Sequence, residues 1–321
     1  MPASRRALLS RATHVSVNQR AGRDRPVIAV FTKNRTNPAY AAARIGAERA
    51  AGRHGASVVH YVPDQPDDIA EQIALVDRAI AERPDAVVFV PVHDTAMNTS
   101  IAKLNAARIP VVNFLNRLVE GEFVAFVGSD DYRLGCELAD YLFRHMGGRG
   151  NLVIIEGIGG AVTNRERMRG FHDTLGRWRD VRVVASRAGD YQREPTLMLM
   201  RELLPALPRI DAVLAANDLM ALAAIEILEA AGRPAPVVGV NALPDAIAAI
   251  KAGRMLASAD FDAMKIACIA TEAALRHLRG ERVPREIMLP VQIVDASNCA
   301  AWDVPLEKRQ CPHWSDTAAN C

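Results

Sequence analysis

The chain has 321 residues, 24% of them charged and 50% hydrophobic, with a formal net charge of +2. This is ordinary globular composition, and the length suits two α/β domains. The even charge balance leaves no nucleic-acid footprint, and no apolar run approaches the roughly 20 residues that a membrane-spanning helix needs.

Residues 1–25 hold six arginines and no acid before Asp24. Ala7-Leu8-Leu9 is too short an apolar core for an export signal, so a disordered basic arm is expected there. The apolar run 26–31 then reads as a strand, 32–38 as a polar loop and 39–55 as a helix closed by Gly55. A strand over 57–62, a helix over 67–83, a strand over 86–90 and a helix over 95–107 follow. Short strands over 111–114 and 123–127 end at Asn116-Arg117 and at Gly128-Ser129-Asp130-Asp131.

A second alternating series starts with a helix over 132–146, broken by Gly147-Gly148. It continues with a strand over 152–155, a glycine-rich loop, a helix to about 175, a strand over 182–185 and a helix over 195–204. The run 212–216 is apolar on both faces and stops at Asn217-Asp218. An amphipathic helix carrying Leu219, Leu222, Ala223, Ile227 and Leu228 runs from there to Gly232. This is half of a βαβ unit, with Asp218 read as the helix cap. Strands over 237–240 and 257–259, helices over 244–252 and 264–279, and a last strand over 288–294 complete the chain.

The two series echo each other. Asp85 opens an apolar strand that leads through a helix to Pro110, and Asp211 opens one that leads through a helix to Pro234. Two similar lobes are expected, each a doubly wound parallel sheet. The chain would cross between them near Ser129, Phe261 and Gln292, which makes a hinge. The expected organisation is a basic arm over 1–25, an N-terminal lobe over 26–129 plus 262–291, a C-terminal lobe over 130–261 plus 292–298, and a tail over 299–321.

Five cysteines are present. No CxxC and no Cys/His spacing indicates zinc. Cys136 and Cys268 fall in helical patterns and read as buried thiols. Cys299 and Cys311 flank a short segment. A bridge between them would be worth roughly 3 kcal/mol and would imply an oxidising compartment. The pairing stays open, as does the role of Cys321.

In open α/β sheets ligands bind where strands end and helices begin. The polar and aromatic residues at those edges are Lys33, Asn34, Asn37, Tyr40, His93, Asn116 and Arg117 in the first series. In the second they are Arg165, Tyr191, Asn217, Asn241 and Phe261. Amides and charged groups can each engage two hydroxyls, and an aromatic suits a C–H face. For Arg117 and Arg165 the competing role is a surface or interlobe ion pair. For Asn217 it is capping its own helix, and for Tyr191 and Phe261 it is core packing.

Taken in order, these edge motifs resemble those of periplasmic sugar-binding proteins of the ribose- and galactose-binding type. The resemblance covers about residues 26–295. It rests on Asn37-Pro38, Asn116-Arg117, Gly128-Ser129-Asp130, Gly157-Ile158 with Arg165-Glu166-Arg167 and Gly170-Phe171, Asn217-Asp218, and Gly239-Val240-Asn241 with Pro244-Asp245. It implies two doubly wound lobes with three crossovers, a type I periplasmic-binding fold. It also implies a small hydroxylated ligand, an ABC-transporter permease as partner, a periplasmic monomer, no cofactor and no chemistry. Ligand contact by Arg117 and Arg165 is part of what it implies. A ligand sensor that reports to a membrane receptor is the alternative.

A repressor's effector domain shares the fold, but residues 1–25 lack a helix-turn-helix pattern. Enzyme readings are weaker still. Gly157-Ile158-Gly159-Gly160 lacks the third glycine and the later acid of a dinucleotide site. Gly128-Ser129-Asp130 is not a nucleophile elbow. Relatives that bind aldopyranoses place Asp where this chain has Asn116 and Asn241. Beside Arg117 and Arg165 that exchange would make the pocket more positive, and would favour a polyol, a modified sugar or an acidic sugar.

Overall fold

The computed structural model describes residues 25–317, so the basic arm, apart from Arg25, and Cys321 lie outside the described residues. The first sheet is built from β1 (Val27–Phe31), β2 (Ser57–Tyr61), β3 (Ala86–Phe89), β4 (Val111–Phe114), β5 (Ala125–Gly128) and β11 (Glu286–Met288). Its spatial order is β11-β5-β4-β3-β1-β2. The second is built from β6 (Arg149–Glu156), β7 (Asp180–Ala188), β8 (Ala212–Ala215), β9 (Val237–Val240), β10 (Ala257–Asp260) and β12 (Gln292–Asp295), in the order β12-β10-β9-β8-β6-β7. The two orders are the same pattern, element for element. Each is doubly wound, so each has a crevice beyond the carboxyl ends of its strands.

The central strands are Val-, Ile- and Ala-rich and buried on both faces, as parallel strands covered by helices must be. The paired aspartates have the same task in each lobe. The Val27 amide donates to Asp85 Oδ2 at 2.8 Å, and the Asn151 amide donates to Asp211 Oδ2 at 2.7 Å. Each carboxylate thus satisfies a backbone donor on the neighbouring strand, which would otherwise be left open at the sheet margin.

The chain leaves the first sheet after β5 for α4 (Asp131–His145). It returns after β10 through α9 (Ala263–Leu278), which packs along α1 (Pro38–Arg53) on the first lobe. The third passage differs from the expected single strand over 288–294. Leu289-Pro290 splits it, so β11 pairs parallel with β5 and β12 pairs antiparallel with β10. Proline has no N–H for a ladder, and here it marks the point where the chain changes sheets.

The cysteines also differ from expectation. Cys268 is not a free thiol; it is bonded to Cys311, 43 residues away. Cys299 is a buried free thiol and Cys136 is also free, so the Cys299–Cys311 bridge does not form. Cys268 faces the tail from α9, a proximity created by tertiary packing rather than by sequence distance.

Candidate functional site

Between the lobes lies a cleft holding about 520 Å³ of space, its open mouth included. The first lobe contributes Lys33, Asn37, Tyr40 and Asn116, and the second contributes Asp131, Thr163, Arg167, Tyr191, Asn217 and Asn241. Phe261, at the second crossover, closes one side.

The centre of the second-lobe wall is an ion pair that sequence reasoning passed over. α4 and α5 (Val162–Leu175) cross through Gly135 and Gly170. A Cβ on Gly135 would sit 2.6 Å from the Arg167 carbonyl oxygen, and one on Gly170 would sit 2.4 Å from that of Tyr132. Only glycine allows helices to approach so closely, and the approach brings Arg167 against Asp131. Arg167 Nε donates to Asp131 Oδ1 at 2.8 Å, and its Nη1 donates to the Ala216 carbonyl, just past the end of β8, at 2.8 Å. The guanidinium also lies 5.4 Å from the Phe261 ring centroid, within cation–π range. Burial pushes the Asp131 carboxyl above its ordinary pKa, and the adjacent Arg167 charge limits the rise. Asp131 Oδ2 takes no part in the pair and is left as an acceptor.

The first-lobe wall is neutral by internal pairing. Lys33 is buried, and its Nζ lies 3.0 Å from Asp67. Asn34 Nδ2 donates to the same carboxylate at 2.8 Å, and its Oδ1 accepts from the Asn37 amide at 2.9 Å. Asn37 caps α1 through the Ala39 amide. The Tyr40 hydroxyl and the side-chain amides of Asn116 and Asn241 have no hydrogen-bond partner among the described residues. Burial, then the Asp67 charge, raise the Tyr40 hydroxyl well above its ordinary pKa, so it stays protonated.

Tyr191 sits in the left-handed region at φ 60°, directly after Asp190 at φ 53°. Two consecutive non-glycine residues there are strained. The turn lays the Tyr191 ring over Gly157, where a Cβ would be 2.1 Å from a ring atom. Its hydroxyl is 3.2 Å from Thr163 Oγ1. Asn217, not Asp218, caps α7 (Asp218–Ala230): its Oδ1 accepts from the Met220 amide at 2.9 Å. Its Nδ2 donates to the Tyr191 carbonyl at 3.0 Å. Asp218 instead turns into the core and accepts from the Leu243 amide and the Ser258 hydroxyl.

Four of the strand-end candidates do not line the cleft; one of them, Asn34, is turned to Asp67 and the Asn37 amide behind the first-lobe wall. Arg117 points out of the first lobe, pairs with Glu286 and stacks 3.9 Å from the Phe126 ring centroid, with its side chain 46% exposed. Arg165 stands at the rim, where Nη2 donates to Asp94 Oδ2 at 2.7 Å across the lobes. His93 stands beside that pair, with Nδ1 3.1 Å from Asp94 Oδ1. Burial alone would raise the Asp94 carboxyl, but the hydrogen bond and charge of Arg165 outweigh it and hold its pKa below the ordinary value. The competing roles for Arg117 and Arg165, a surface pair and an interlobe pair, are the ones the structure contains.

This overturns the expectation of a positive pocket. Neither arginine invoked for it faces the ligand space, and the two cations that do, Lys33 and Arg167, are each matched by a carboxylate. The signal for Arg167 was present in the helix periodicity. Asn164, Arg167, Met168 and Phe171 follow the i, i+3, i+4, i+7 spacing of one buried face, which Arg165 does not share.

Comparison with known proteins agrees with this architecture. The periplasmic binding protein domain family matches residues 28–282. The ribose import binding protein of Bacillus subtilis is 31% identical over 266 residues, covering 83% of this chain and 85% of that protein. Among solved structures, an ABC-transporter periplasmic solute-binding protein from Actinobacillus succinogenes 130z, with bound D-allose, superposes with a TM-score of 0.83. It is 28% identical, over 86% of this chain and 100% of that one. A solute-binding protein from Bacillus halodurans C-125 with bound myo-inositol gives 0.80 at 26% identity, over 87% and 97%.

Proposed function

The chain belongs to the periplasmic binding protein family, and from that premise we propose that it captures an uncharged polyhydroxylated ligand, a sugar or cyclic polyol, between its lobes. It delivers that ligand to the permease of an ABC transporter. The observation that carries this reading is the pairing of every cleft charge with an opposite one, beside three neutral polar groups that have no partner among the described residues.

Such a wall offers hydroxyls both donors and acceptors. Asp131 Oδ2 accepts, the remaining Arg167 protons donate, and the Asn116 and Asn241 amides do either. A ligand carboxylate would face Asp131 in a cleft with no unmatched cation among the described residues to offset it. Ligand groups that touch both walls favour the closed arrangement, because only differential contact shifts an equilibrium. Ribose, D-allose and myo-inositol, named with the similar proteins, are all of this chemical class. Ligand contact is assigned to Asn37, Tyr40, Asn116, Asp131, Arg167, Tyr191, Asn217, Asn241 and Phe261, with Lys33 as a supporting charge. In this reading the protein acts as a periplasmic monomer and releases its ligand unchanged. No helix among the described residues is long and apolar enough to cross a membrane.

Calorimetry against aldoses, cyclic polyols, linear polyols and sugar acids tests the proposal. A neutral ligand should bind in the micromolar range, about −8 kcal/mol, and should come back chemically intact. Tighter binding of a uronic acid than of its parent aldose would overturn the reading of the cleft.

A further inference from the structure

The matched family region ends at residue 282, and past it the chain makes the third crossover and then builds one more link between the lobes. After β12 the backbone turns through Cys299–Ala301 and stays against the second lobe. Trp302 Nε1 donates to Asp260 Oδ2 at 2.7 Å, and Asp303 pairs with Lys251 on α8 (Pro244–Lys251).

Beyond Val304-Pro305 the chain attaches to the first lobe. Leu306 packs on the cluster of Ala42, Ala50 and Met264. Arg49 donates to the Glu307 and Arg309 carbonyls, Arg53 donates to that of Cys311, and Cys311 is bonded to Cys268 on α9. The Arg276 guanidinium lies 4.6 Å from the Trp314 ring centroid. Arg309 knits the two halves together, donating to the Trp302 carbonyl at 2.6 Å and to that of Val304 at 3.0 Å.

We propose that residues 299–314 form a strap across the hinge, with the Trp302–Asp303 contacts as its second-lobe end and the Cys268–Cys311 bond as its first-lobe end. The strap limits how far the lobes separate. A protein held near its closed spacing keeps more of its population binding-competent, so the strap raises apparent affinity without touching the ligand. The two ends lie on separate lobes and are joined by the seven residues 304–310, of which Leu306, Glu307 and Arg309 are themselves held on the first lobe, so little slack remains to absorb domain rotation.

The test uses the full chain with Cys311→Ser, with Trp302→Phe plus Asp303→Asn, and with all three changes. Small-angle scattering without ligand reads the lobe separation directly. It does not depend on the proposed ligand class, so failure of sugar binding and failure of the strap are distinguishable. Dissociation of D-allose, followed by stopped flow, is the second readout. Cutting either end should enlarge the ligand-free radius of gyration and raise the dissociation rate about fivefold or more. The combined variant should add nothing, because a strap cut at one end is already open. Additive effects of the two ends, or a lowered unfolding temperature with unchanged radius and rate, would overturn the proposal. If Cys311→Ser does not fold, the second-lobe variant alone decides between an enlarged and an unchanged radius.

Discussion

Two arginines on α5, two residues apart, mark two regions with different physics. Arg167 is turned inward, with its side chain 5% exposed, and is held by Asp131 and the Ala216 carbonyl. Arg165 is turned to the rim, with its side chain 50% exposed, and reaches Asp94 on the other lobe. The interior pair lies within one lobe and exists whether or not the cleft is shut. The rim pair joins the lobes and forms only when they meet. Helical phase alone turns one guanidinium into the cleft and the other to the rim.

The comparison is broken most directly at Arg167. Arg167→Ala should weaken ligand binding by roughly 2–5 kcal/mol, the cost of truncating a buried hydrogen-bonded charge. An unchanged dissociation constant in calorimetry would remove it from the site. Asp131→Asn should cost about 1–3 kcal/mol of binding by loosening Arg167 and removing the acceptor oxygen. It should also narrow the preference for neutral ligands over sugar acids, read in the same panel. At the rim, Arg165→Gln or Asp94→Asn should cost only about 0.2–1 kcal/mol, equally for every ligand, because the Arg165 side chain is half in solvent. Added salt should erase the difference from wild type there while leaving the Arg167 effect largely in place. Arg117→Ala should leave affinity unchanged and move stability by no more than about 0.5 kcal/mol.

Proton linkage separates the regions again. Burial lifts the Asp218 carboxyl to about 7 from an ordinary 3.8. The folded protein therefore binds a proton that the unfolded chain has released. The ionisation penalty is complete above pH 7, fades as pH falls and is gone near pH 4. Asp94, held below its ordinary value, contributes stability above that value and loses it only in stronger acid. Lowering pH from 8 to 6 should then raise the unfolding midpoint, and Asp218→Asn should flatten the rise. A midpoint that falls over this window, in calorimetric scans, would contradict the assignment.

Alternating apolar runs and polar breaks made the two lobes legible, and the matched Asp85 and Asp211 made their likeness legible. So were most of the strand-end residues, because strand ends are set by where apolar runs stop. What escaped was direction. Asn116 and Arg117 are neighbours after one strand, yet they point to opposite sides of it. Asn217 and Asp218 exchanged roles because the extended backbone at 217 lets its amide reach the Met220 N–H, while Asp218 is carried into the core. Resemblance favoured Arg165 where the periodicity through Met168 and Phe171 pointed to Arg167. The Cys268–Cys311 bond depends on how the tail folds back over α9, which local pattern does not encode.

Gly157 carries a consequence for how this scaffold diversifies. The Tyr191 ring rests where a single methyl would otherwise stand. A chain that gained that methyl would have to tilt the ring toward the guest or withdraw it from the wall, taking the Tyr191 hydroxyl from Thr163 but leaving the Arg167–Asp131 pair in place. The size of molecule admitted is thus adjustable at one steric position, apart from the charged pair at the centre of the wall.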